Sequence, residues 1–142
     1  MSMLSCLTAL SHMLDKHVGL PVRIGRPDET RCLHIWPWRL EEDARFAAIP
    51  SATPRLGETG PAVTPMPRLH LLILASSSLE AENLDALESA RQVLLGTPLI
   101  NAGQQRISIV PAALGSEELA NLFLAAALPL RLCLAYTLHS AD

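Results

Sequence analysis

Apolar residues recur along this chain with two different periods, and the switches between them mark the elements. Leu4, Leu7, Leu10 and Leu14 fall at helical spacing with Met3 and Met13 nearby, which predicts a helix over residues 2–18. Gly19 and Pro21 then stop it. Val22–Ile24 reads as a short strand ended by Gly25 and by a Pro27–Asp28–Glu29 turn. Cys32 to Leu40 is aromatic and β-branched, as a strand should be, and Pro37 demotes its far end to an edge or a bulge.

From Arg68 a near-continuous apolar run, Leu69 to Leu74, predicts a strand covered on both faces. Ser76, Ser77 and Ser78 are expected to cap a following helix, with Glu80 and Glu82 at its positive end. Leu84, Leu87, Val93, Leu94 and Leu95 mark its expected buried face, and Gly96 with Pro98 ends it. Gln105–Val110 alternates as a strand. Ser116 is expected to cap an Ala- and Leu-rich helix that carries Glu117 and Glu118 at its start and stops before Pro129. The final strand is expected over Leu130–Leu138, with Leu130, Leu132, Leu134, Tyr136 and Leu138 on one face. Between the second and third strands, residues 41–66 hold a proline-rich interruption, read as an extended arm. The order α-β-β-(arm)-β-α-β-α-β predicts one α+β domain over residues 1–142, a mostly antiparallel sheet with helices packed on it.

Composition sharpens this picture in one respect. Apolar residues make up 49% of the 142 and charged residues 18%. A domain this small leaves much of its surface in water, so so few charges leave apolar surface outside on a lone monomer. That points to self-assembly or a partner protein. A net charge of −3 argues against nucleic acid as the partner. No segment reaches the roughly 20 apolar residues of a membrane span, and the start lacks the basic region of a signal peptide, so cytoplasmic synthesis without membrane insertion is expected. Cys6, Cys32 and Cys133 form no CxxC pair and are expected to be reduced.

Candidate chemistry is thin. His12 and His17 are five apart rather than four, and Cys32 with His34 on one side of a strand supplies only two metal ligands. No phosphate-cradling glycine loop and no nucleophile elbow occurs. No catalytic, cofactor-binding or metal set is therefore expected. Arginine provides ten of the eleven basic residues, Lys16 the other. A GC-rich genome accounts for that bias, and so does an interface, where the planar guanidinium binds carboxylates bidentately. Trp36 and Trp38 stand beside Arg39, and such side chains dominate binding when buried at an interface centre. The other reading is that one tryptophan faces the core while its neighbour lies over the sheet.

The stretches MLSCLTALSHMLDKHVG, LHIWPWRL, PMPRLHLLILASSS, ALESARQVLLGTPLI, ISIVPAALGSEELANLF and LPLRLCLAYTL, in this order, resemble the cap or tube-sheath terminator proteins of contractile injection systems. The layout is also similar to contractile phage tail terminators. Where that family has a polar turn with Asn and Arg after the second strand, this chain has Glu41–Arg45, with Arg45 as the match.

The resemblance implies a non-enzymatic role: a ring of copies, six-fold, on the terminal tube and sheath subunits of a phage tail, a tailocin or an injection particle. Trp36, Trp38, Arg39, Arg45, Phe46, Arg55 and Arg68 are the candidate contact residues, with no cofactor. Two rival readings stay open: a peptide-binding adaptor or assembly chaperone that forms no ring, and a hydrolase using Cys32 or Cys133 with a histidine.

Overall fold

The computed structural model describes residues 3–42 and 66–141. Apart from Glu41, Glu42 and Met66, the expected arm at 41–66 lies outside them. The elements are α1 (Met3–Asp15), β1 (Val22–Ile24), β2 (Cys32–Glu41), β3 (Arg68–Ser76), α2 (Glu80–Gly96), β4 (Leu99–Ala102), β5 (Gln105–Pro111), α3 (Ser116–Ala125) and β6 (Leu134–Ser140). They build one sheet in the order β1-β2-β3-β6-β5-β4. Only β1 and β2 pair in parallel; the other four pairings are antiparallel.

Alternation along the strands divides the apolar side chains between two layers. Leu33, Ile35, Leu71, Ile73, Ile107, Ile109, Tyr136 and Leu138 face one side, where α1 and α2 cover them. Trp36, Leu72, Leu74 and Ala135 face the other, where Phe123, Leu119 and Leu122 of α3 cover them. β3 lies between β2 and β6 and has both faces covered, which is why it reads as an unbroken apolar run rather than an alternating one.

Several details depart from the sequence-based expectations. Leu4 is exposed, and α1 turns Cys6, Leu7, Leu10 and Leu14 inward. In α2 the buried residues are Ala86, Leu87, Ala90 and Leu94, while Leu84 and Leu95 are exposed. Two alanines one turn apart bring the helix axis close to the sheet, so the bulkier leucines at its flanks remain in solvent. Neither Ser76–Ser78 nor Ser116 caps its helix. The N-cap positions are Leu79 and Gly115, and neither makes a side-chain capping bond. Ser77 Oγ instead accepts from the Leu79 amide at 3.2 Å, and Ser76 is drawn into a polar cluster.

An additional strand, β4, forms a hairpin with β5 through Gly103 and Gln104. Gly103 has φ 64°, the positive value that a glycine-first two-residue turn requires. At the other end, β6 starts at Leu134 rather than Leu130. Leu130 and Leu132 are 64% and 60% exposed and do not share the buried face of Tyr136 and Leu138.

Candidate interaction surface

The surface that carries the sequence-predicted residues originates in an irregular strand pair. β2 and β3 pair without a break from Cys32↔Ser76 to Pro37↔Leu71 and resume at Arg39↔His70, which leaves Trp38 as the extra residue. Such a bulge bends its strand and re-aims the side chains around it. β1 accompanies β2 only as far as Ile35, so beyond it the outer edge of β2 has no paired strand among the described residues. Pro37 has no N–H to offer there, which blunts the edge.

The bulge gives the two tryptophans different environments. Trp36, 9% exposed, packs under α3 with its ring edge-on to Phe123 (centroids 6.0 Å apart, planes at 67°). Trp38 is half-buried and tilts over the His70 ring at 5.6 Å. Its Nε1 is buried and has no hydrogen-bond partner among the described residues. His70 Nδ1 lies 3.3 Å from Thr137 Oγ1, and its Nε2 stands at an ion-pair distance of 3.5 Å from Glu41 Oε1. Arg39 donates to the other Glu41 oxygen at 3.2 Å, and Arg68 is the register partner of Glu41 across the ladder. Arg39, His70, Thr137 and Val110 thus form a row across four strands beside the α3-covered core. The Arg39–Glu41 pair is half-exposed, and pairs of this kind contribute only about 0.2–1 kcal/mol, so the row is held lightly.

Around the bulged edge, Met3, Leu7, Pro37, Trp38, Leu40 and Leu69 line an open, mainly apolar groove of about 440 Å³. Trp38, Arg39 and Arg68 therefore come together at the Glu41 end of the β2–β3 ladder. Trp36 is turned into the core and offers a partner little surface. Arg45, Phe46 and Arg55 lie outside the described residues. Sequence reasoning missed the exposed leucines: Leu124 at 79%, with Leu130 and Leu132 after it. Their signal was present as an apolar stretch around Pro129, but it was absorbed into a helix and a strand.

A second cluster forms at the opposite end of β2. Cys32 and His34 are fully or almost fully buried, and the loop between β1 and β2 brings Asp28 to them. Cys32 Sγ lies 3.4 Å from His34 Nε2, which is 3.1 Å from Ser76 Oγ and 4.0 Å from Asp28 Oδ1. Ser76 donates to the Asp28 carbonyl at 3.0 Å and accepts from Arg131 at 2.7 Å. The Thr30 amide and Arg23 hold the Asp28 carboxylate at 2.8 and 3.3 Å. Burial pushes the His34 pKa below the ordinary histidine value and the Cys32 thiol above its own. Burial likewise raises the thiols of Cys6 and Cys133. A nucleophilic cysteine needs the opposite shift, toward the thiolate, so nothing about these thiols favours covalent catalysis.

No protein-family model matches the sequence, and no curated protein is similar to it. Solved structures are similar. The sheath/tube terminator of the extracellular contractile injection system PVC, in its extended state, superposes with a TM-score of 0.69 at 15% identity. The tube-terminating cap of the anti-feeding prophage superposes with a TM-score of 0.71 at 14% identity. The fold is that of the injection-system terminators. Both superpositions cover all of this chain, but only 57% and 56% of the terminator and the cap, so the chain spans a little over half the length of each. The α+β fold with its mostly antiparallel sheet matches the expectation drawn from the sequence. Among the described residues, no helix is long and apolar enough to cross a membrane.

Proposed function

We propose that this chain is a structural cap of a contractile particle. Copies assemble as a six-fold ring on the terminal tube and sheath subunits of an injection system or phage tail and end polymerisation there. The observation that carries the reading is the whole-chain superposition on two proteins that are themselves a terminator and a cap. Physically, a tube or sheath grows because its last ring exposes a self-complementary, head-to-tail surface. A terminator must match that surface on one side and offer nothing that continues the stack on the other. Six contacts made together act with high avidity, so each can be weak.

Two features of the molecule suit this role. Leu124, Leu130 and Leu132 place large apolar side chains in solvent, where assembly would cover them. The groove and the Arg39–His70–Thr137–Val110 row present an edge of the sheet flanked by guanidiniums. Trp38, Arg39 and Arg68, with Arg45, Phe46 and Arg55, make the contact surface, and Trp36 supports it from below through Phe123. The role involves no reaction and no cofactor. The protein is made in the bacterial cytoplasm and works as a part of the finished particle.

The test is deletion of the gene followed by electron microscopy of the particles. Loss of a uniform length, or frayed and uncapped ends, is the expected result. Uniform, capped particles would overturn the reading. A purified protein that stays monomeric and ignores isolated tube ends would favour the peptide-binding adaptor instead.

A further inference from the structure

The two sides of the molecule carry opposite charge, and the strand register shows where. α3 covers only part of its face of the sheet, over Trp36, Leu72, Leu74 and Ala135. On the rest of that face, alternation presents Arg39 on β2, Arg68 and His70 on β3, His139 on β6 and Arg106 on β5. Glu41 is the only acid among the strand residues of this bare half, and Arg68 and Arg106 have no ion-pair partner among the described residues. α2 lies on the other side of the sheet and turns Glu80, Asp85 and Glu88 to solvent. Glu80 and Asp85 have no ion-pair partner among the described residues, and Glu88 meets Arg91 only loosely at 3.9 Å. We propose that the bare half of the sheet in one copy receives the outer face of α2 from the next copy, head to tail. This contact presupposes the ring of the cap reading and names the partner of the Arg39–Arg68 surface.

Length and apolarity match as well as charge. The row from Arg39 to Val110 crosses four strands, about 14 Å at the usual strand spacing. On α2, Leu84 to Leu95 extends about 16 Å at the usual helical rise. Leu84, Glu88, Arg91 and Leu95 recur at helical spacing and form one stripe, with both leucines exposed. Val110 and Leu99, on adjacent strands of the bare face, are exposed in turn. Apolar contact between these side chains supplies the burial, and the guanidiniums and carboxylates around them set the direction. The two surfaces lie on opposite sides of one sheet, so no copy can satisfy both by itself. A two-fold pair would set basic face against basic face, or acid against acid. The contact is therefore heterologous, and a heterologous contact that closes makes a ring.

The experiment reverses each face in turn in the full-length chain and follows assembly by light scattering. One variant carries Arg68→Glu with Arg106→Glu, the other Asp85→Arg with Glu88→Arg. All four residues are exposed, so each variant should fold and melt as the parent does. Each alone should associate at least about tenfold more weakly than the parent. Mixed one to one, the two should assemble again, because every reversed face then meets a reversed partner and every native face a native one. A six-fold ring admits that alternation. A chain carrying all four substitutions should also assemble by itself, and added salt should weaken the parent ring. Rings of parental strength in either single-face variant, or a mixture that stays dissociated, would overturn the contact and leave the cap reading standing. A parent chain that stays monomeric would overturn it too, and the particles of the deletion strain then decide the cap reading separately.

Discussion

The rings of Trp36 and Phe123 meet edge-to-face at 6.0 Å, and this contact joins α3 to the sheet. Phe123 is 1% exposed and is the buried residue of its helix, so α3 depends on one aromatic anchor. Leu72 and Leu74 of β3 form the floor beneath it.

Phe123→Ala should therefore destabilise the protein by about 3–5 kcal/mol, since it removes a large buried ring and leaves a cavity. A double-mutant cycle with Trp36→Leu should give a coupling of about 0.5–1.5 kcal/mol. Denaturant unfolding measures both. A loss below about 1 kcal/mol would mean that α3 is not packed as described.

Leu124→Asp and Leu132→Asp alter side chains that are 79% and 60% exposed. Monomer stability should stay within about 0.5 kcal/mol of the parent. Ring formation, read by light scattering and by binding to tube ends, should be lost if these leucines are covered in the assembly. Unaltered assembly in both variants would remove them from the interface.

Glu82 ties the loop before β2 to the first turn of α2. Arg31 donates to its carboxylate at 2.8 Å, and this bond, with one from Ser77, lowers the Glu82 pKa. A carboxylate with a depressed native pKa binds fewer protons folded than unfolded. Its contribution is present above the ordinary value of 4.5 and is lost as pH falls through the native pKa. Glu82→Gln should lower stability slightly near neutrality, and the difference from the parent should vanish in acid. A difference that persists at low pH would assign the effect to something other than the charge. Added salt should shrink it as well, because the pair is solvent-accessible.

Cys6 and Cys32 are buried and Cys133 is half-buried, and burial raises all three thiol pKa values. Labelling of the native protein by a thiol reagent at neutral pH should be slow, with Cys133 reacting first. Cys133→Ser should remove that phase. A rapidly reacting cysteine would restore the hydrolase reading.

Local pattern made much of the architecture legible. The apolar run of β3 announced a strand covered on both sides, and Pro37 announced an edge or a bulge, which the register shift between Pro37 and Arg39 supplies. The stop at Gly96 and Pro98 placed the end of α2 correctly. The four-residue β4 was not legible, because a stretch that short has no period to detect and owes its pairing to the Gly103 turn. The serines before α2 looked like a cap because capping is a local bond. Arg131 and His34, both distant in sequence, recruit Ser76 instead.

The site divides in the same way. Trp38, Arg39 and Arg68 were visible as residues, but the bulge that gathers them around Glu41 while sending Trp36 beneath Phe123 belongs to the strand register.

By itself the sequence determined the period of each element, a low share of charge to cover its surface, and hence a small α+β domain with apolar side chains to spare. Only the tertiary structure decided which leucines those are and that Asp28 meets Cys32 and His34. Periodicity is a property of neighbours along the chain. Which face is covered, and which distant donors share a few ångströms of space, is set by how separate elements pack.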